Sequence, residues 1–177
     1  MPNSMNVHPQ THYHIECWRP CRGEGVVPTM GARTLLWAEE FHNLVVTVGK
    51  NKLLDAMFKS GIGAAAWYVG LVDNASFSAY AAADTMGSHA GWIELTAYDE
   101  ATRQAYTCST PAAGSTNNTA ARATFTANAT KTVRGAFLSD SATRGGSTGT
   151  LYGVGDFTVA RSVIAGDQVY AQITITV

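Results

Sequence analysis

The closing run, Val169 to Val177, constrains this chain more than any other stretch. Val169, Ala171, Ile173, Ile175 and Val177 alternate with Tyr170, Gln172, Thr174 and Thr176. A period of two sends one set to a core and the other to solvent, as a half-buried β-strand requires. A slip of one residue would exchange the faces, so the partners of this strand must hold a fixed register.

Other segments repeat the pattern. Ala123, Phe125 and Ala127 alternate with Arg122, Thr124 and Thr126, and Thr132 to Ser139 reads as a strand with Val133 and Phe137 inward. Phe157 to Val163 leads through the turn Ala165-Gly166-Asp167 into the last strand. Upstream, Leu35, Trp37 and Phe41 make Thr34 to Phe41 a strand. Trp92 to Tyr98 puts Ile93, Leu95 and Ala97 on one side, and Arg103 to Ser109 is expected to pair with it. Eight or nine strands separated by turns predict an all-β, two-sheet β-sandwich. Strand number favours a jelly-roll-like order, with an immunoglobulin-like order as the alternative.

One short helix interrupts the strands. Leu44, Val45, Val46 and Val48 predict a strand buried on both faces. Leu53, Leu54, Met57 and Phe58 then share one side of a helix from about Lys50 to Ser60, with Lys50, Asn51, Asp55 and Lys59 opposite. So short a helix needs its apolar side on the sheet, which makes it a lid over one end of the core. Gly61 suits the left-handed position after it, with Ile62 folding back onto Met57. Trp67 to Val72 is the next strand, closed by Asp73-Asn74. Ala75 to Gly91 reads as a long loop, a kind of segment often used at interfaces.

Residues 1 to 32 hold four of the five prolines, at positions 2, 9, 20 and 28, and a single good strand candidate, Tyr13 to Trp18. They read as an extended N-terminal arm, with the sandwich domain spanning 33–177. Tyr13, Ile15, Trp18, Pro20, Val26 and Val27 in the arm, with Phe77 and Tyr80 in the long loop, are the candidate subunit contacts.

Charge narrows the partners. Only 14% of the 177 residues are charged, the net charge is −1, and the 12 lysines and arginines are scattered. Ordinary soluble proteins carry about 25% charged residues, and a phosphate-binding surface needs clustered cations. Nucleic acid is therefore not an expected partner. A neutral exterior of Ala, Ser, Thr, Asn and Gly instead suits a surface covered by other subunits. Length fits one domain burying roughly 70% of its unfolded surface, with no second core expected. No apolar run is long enough to predict a membrane span. The first residues lack an apolar segment behind a basic start, so synthesis in the cytoplasm is expected. Cys17, Cys21 and Cys108 are odd in number and predict free thiols.

Few residues suggest chemistry. His12, His14, Cys17 and Cys21 bring imidazole and thiol groups within ten residues, the best metal-like set. If Tyr13 to Trp18 is a strand, His12, His14 and Glu16 point away from Cys17, which breaks the set. His8, His42 and His89 are isolated. Gly145-Gly146-Ser147-Thr148-Gly149 matches G-x-S-x-G without the strand-to-helix context or downstream histidine of a nucleophile elbow. In a strand the neighbours Glu39-Glu40 point to opposite faces, as do Asp99-Glu100, so neither forms a converging carboxylate pair. Gly153-x-Gly155 lacks the residues that cradle phosphate. Trp67, Tyr68, Trp92, Tyr98 and Tyr106 offer a sugar-stacking surface only if they are exposed. Neither an enzyme nor a cofactor is predicted.

The ordered segments NLVVTVGKNKLLDAMF, WYVGLVDN, AADTMGSHAGWIELTAYDEATRQAY, GAFLSDSATRGGSTGTLYGVGDF and VIAGDQVYAQITITV resemble a family of small structural proteins of tailed bacteriophages. The similarity covers about Leu36 to Val177. It implies a virion component without enzymatic activity, either a head decoration (cement) protein or a minor tail or fibre-associated protein, the alternative in which contact with host carbohydrate is expected. A cement protein would be a homo-oligomer bound to the major capsid protein, with no direct contact to nucleic acid or membrane.

Overall fold

The computed structural model describes residues 9–21, 32–59 and 65–177. In chain order the strands are β1 Gln10–Pro20, β2 Arg33–His42, β3 Leu44–Val45, β4 Tyr68–Asp73, β5 Ile93–Leu95, β6 Gln104–Ala105, β7 Ser115–Asn117, β8 Ala123–Thr126, β9 Lys131–Ser139, β10 Leu151–Val163 and β11 Gln168–Thr176. Helix α1, Thr47–Phe58, lies between β3 and β4.

The strands form two antiparallel sheets. The first runs β2-β1-β11, with β7 and β8 sharing the far edge of β11. The second runs β3-β10-β9-β4, with β5 and β6 sharing the far edge of β4. This is the expected all-β two-sheet sandwich. The first and last strands are neighbours, and β1-β2 and β9-β10 are hairpins within one sheet. Those hairpins replace part of the alternating sheet-to-sheet crossing of a jelly roll.

Between the sheets lie Tyr13, Ile15, Phe125, Ala171 and Ile173 from one side and Leu71, Leu138, Tyr152 and Phe157 from the other. The last strand keeps its expected alternation as far as Ile173, with Val169, Ala171 and Ile173 buried, whereas Ile175 is half-buried and Val177, past the end of the strand, is exposed.

The arm is the largest departure from expectation. Residues 10–20 form not an arm but the strand between β2 and β11, so the domain already includes Gln10 rather than starting at 33. Thr11, Tyr13, Ile15 and Cys17 are all buried, and this alternation outweighs the flanking prolines as a signal. Being in the core, Tyr13 and Ile15 do not serve as subunit contacts. Val26 and Val27 lie outside the described residues.

A second buried cluster was also not expected. Val46, Val72, Met86, Trp92, Phe137, Leu151 and Val154 pack on the outer side of the second sheet, with Phe77 and Tyr80 against them. The Ala-rich loop is thus a cover, pinned where Trp92 Nε1 donates to Asp84 Oδ2 at 3.0 Å and His89 stacks on the indole at 4.0 Å. Phe77 and Tyr80 are half-buried there. Trp92 to Tyr98 is a strand only over β5, and β6 pairs with β4 rather than with it. In β9 a register shift opposite Val72 and Asp73 places Val133 in the central core and Phe137 in the second cluster, not on one face.

Helix α1 starts earlier than predicted, and β3 is only two residues long. The helix meets β10 through Gly49, its only buried residue. Leu53 turns towards an apolar groove shared with Trp67, Leu138, Tyr152 and Ile175. Leu54, Met57 and Phe58 point outward at 54%, 69% and 76% exposure. The expected lid does not form, because three of its four apolar side chains face solvent and only Leu53 turns inward. Gly61 and Ile62 lie outside the described residues.

Candidate functional site

Strand β1 sends its even-numbered side chains to the outer face of the first sheet, and the register sets their neighbours. Glu16 lies opposite Tyr170 of β11 and Ala38 of β2, Trp18 opposite Gln168 and Leu35, and His14 opposite Glu40. Arg122 enters from the residue before β8 and Arg33 from the start of β2.

These groups form one network. His14 Nδ1 lies 2.9 Å from Glu40 Oε1 and His14 Nε2 lies 2.9 Å from Glu16 Oε1. Glu16 Oε2 accepts from Trp18 Nε1 at 2.8 Å and from Arg122 Nη1 at 2.9 Å. The Glu16 bond raises the His14 pKa and Glu40 adds to it, against the opposing effect of burial. Burial alone would push the Glu16 carboxyl up, but hydrogen bonds from His14, Trp18 and Arg122 prevail and hold it at about 2. Doubly protonated His14 is the form that satisfies both carboxylates.

Beside this network is a depression of about 300 Å³ lined by Trp18, Arg33, Arg122 and Tyr170. The Arg122 guanidinium lies 4.9 Å from the Tyr170 ring centre and that of Arg33 lies 6.0 Å from it. Arg33 donates to the Tyr170 hydroxyl, which donates to Gln168 Oε1 at 2.7 Å. Among the described residues, Arg122 has Glu16 as its carboxylate and Arg33 has none.

The metal-like set does not converge. His12 and His14 are on the outer face, Cys17 is in the core, and Cys21 is exposed beyond the end of β1. Burial pushes the Cys17 thiol up to about 12, a poor starting point for a metal-binding thiolate. No three His, Cys, Asp or Glu side chains among the described residues could together hold a metal ion.

Other sequence features take structural places. Ser147 lies in the loop whose Gly146 carbonyl accepts from Arg103 at 2.9 Å. Glu39 is buried against Arg161 while Glu40 faces out, as strand alternation demands. Trp92, Tyr98 and Tyr106 are buried, which dissolves the proposed aromatic surface. Trp67 and Tyr68 remain half-buried and line an apolar concavity of about 530 Å³ with Tyr106, Pro111, Ile175 and Val177. Pro20 is exposed at the end of β1 and Trp18 is half-buried.

Sequence reasoning missed the Trp18, Arg33, Arg122 and Tyr170 group. Alternation alone places Arg122 and Tyr170 outward, yet only the pairing of β1, β8 and β11 makes them neighbours. No family model and no curated protein matches this chain.

Proposed function

We propose that this chain is a structural protein of a tailed bacteriophage particle, acting as a capsid decoration protein that bridges neighbouring major capsid subunits. The uncovered apolar side of α1 carries the reading. Leu54, Met57 and Phe58 are exposed, and Leu53 and Ala56 of the same helix line an apolar groove with Trp67 and Ile175. Burying each such side chain against a partner is worth about 1.5–3 kcal/mol, which rewards a neighbouring subunit. The order of segments from Leu36 to Val177 supports the same reading. Binding alone is the mechanism: a protein that binds only the assembled shell stabilises it by mass action.

The test is the copy number of the chain in purified particles, together with incorporation of a Met57→Lys, Phe58→Asp double variant. A decoration role predicts hundreds of copies per particle and a folded variant that no longer incorporates. A few copies per particle would instead favour a tail or fibre-associated role. The polar depression on the first sheet gives that second reading its own support, because it is open, aromatic and cationic.

A further inference from the structure

We infer that the depression lined by Trp18, Arg33, Arg122 and Tyr170 is a binding site for an acidic saccharide, a sugar unit carrying one carboxylate or sulfate. The site is independent of where in a particle the chain sits. Its four residues come from four separate segments: Trp18 from β1, Arg33 from β2, Tyr170 from β11 and Arg122 beside β8. A planar guanidinium without a carboxylate partner offers paired N–H donors to an oxyanion. Among the described residues Arg33 is such a group, and its contact with the Tyr170 hydroxyl holds it beside the depression. Arg122 is held by Glu16 and over the Tyr170 ring, so its position is set before a ligand arrives. Preorganisation of this kind lowers the entropic cost of binding.

Aromatic surface supplies the second half of the recognition. Trp18 is tethered through its indole N–H to Glu16, which leaves the ring to line the depression beside Tyr170. An apolar ring face next to a charged fork matches a sugar, whose C–H face is apolar and whose acidic group is charged. Polyanions fit less well. Glu16 and the exposed Glu40 lie on the same face, and a nucleic-acid backbone would bring repeated phosphates onto them. The face thus selects one negative charge next to a ring rather than a row of charges.

Isothermal titration of the full chain tests this with four probes: methyl galacturonide, which carries one carboxylate, glucose 6-sulfate, which carries one sulfate, neutral maltotriose and a short single-stranded DNA. The expected result is binding of the carboxylated or the sulfated saccharide and none of maltotriose. Arg33→Ala and Trp18→Ala should each weaken that binding about tenfold or more, and Arg33→Lys should restore only part of it. Lys50→Ala, an exposed cation on α1, should leave it unchanged. All of these positions lie outside the buried core, and circular dichroism identifies any variant that fails to fold. The inference is overturned if neither acidic saccharide binds, if folded Arg33→Ala binds as the parent does, or if the DNA binds more tightly than both saccharides.

Discussion

Arg103 and Glu94 form a two-bonded ion pair in which both side chains are almost entirely buried. Arg103 Nε lies 3.0 Å from Glu94 Oε1 and Nη2 lies 2.8 Å from Oε2, at 0% and 6% side-chain exposure. The same guanidinium donates to the carbonyls of Ser141 and Gly146, at 3.0 and 2.9 Å, and Glu94 accepts from the Gly145 N–H at 2.8 Å. The pair therefore fastens the glycine loop 145–149 to β5. Removing one partner of a buried pair leaves a charge without compensation, at a cost of about 3–5 kcal/mol. Arg103→Met should lower stability by that order in chemical denaturation, and Arg103→Met with Glu94→Leu should recover much of it. Equal losses in the single and double variants would contradict this account.

Gly49 sits in the first turns of α1, where helix propensity alone says alanine should stabilise by about 1 kcal/mol. Packing says the reverse. A Cβ at this position would lie 2.2 Å from the Tyr152 carbonyl oxygen, and backbone does not yield as a flexible side chain does. Overpacking of this kind costs about 1–3 kcal/mol. Thermal unfolding of Gly49→Ala should show a net loss, while the exposed substitution Asn51→Ala should not.

The His14 network predicts a pH dependence whose sign follows from the two shifts. His14 has its pKa raised on folding, so its contribution is full below its unfolded value and disappears as pH rises through the folded one. Glu16 is lowered from 4.5 to about 2, so its contribution is present above 4.5 and is lost as pH falls towards 2. The melting-temperature difference between parent and His14→Gln should be largest in mildly acidic solution. It should shrink on the alkaline side first, and again in strong acid. A difference that stays flat from acid to alkali would rule out the two carboxylates as the cause.

Thiol reactivity separates the strand from the arm. Cys17 is buried in β1 with its thiol pushed up to about 12, whereas Cys21 and Cys108 are exposed. Native protein should release colour from Ellman's reagent for two thiols quickly, with Cys17 reacting only on unfolding. Fast labelling of Cys17 would mean that residues 10–20 are not held between β2 and β11.

Local periodicity carried the reading of fold class because a strand buried on one face writes its environment into every second residue. Val169 to Ile173 and Ala123 to Ala127 were legible for that reason. The same alternation runs through Thr11 to Cys17, although Pro9 and Pro20 on either side are local signals against a strand. The helix shows the opposite case. Its apolar side was plain, but which surface that side meets depends on what else covers the sheet, and no local pattern contains that.

What the amino-acid sequence determined by itself is a set of strands, their inward faces and the scarcity of charge, all consequences of the two-residue repeat and of composition. Tertiary structure decided the rest. It placed the first strand beside the last, folded the Ala-rich loop over a second apolar cluster, and left the Leu54, Met57 and Phe58 side of α1 uncovered. It also brought Arg33, Arg122 and Tyr170 around Trp18. The physical reason is that cross-strand neighbours are set by hydrogen-bonded register between segments distant in the chain, whereas alternation is set one residue at a time.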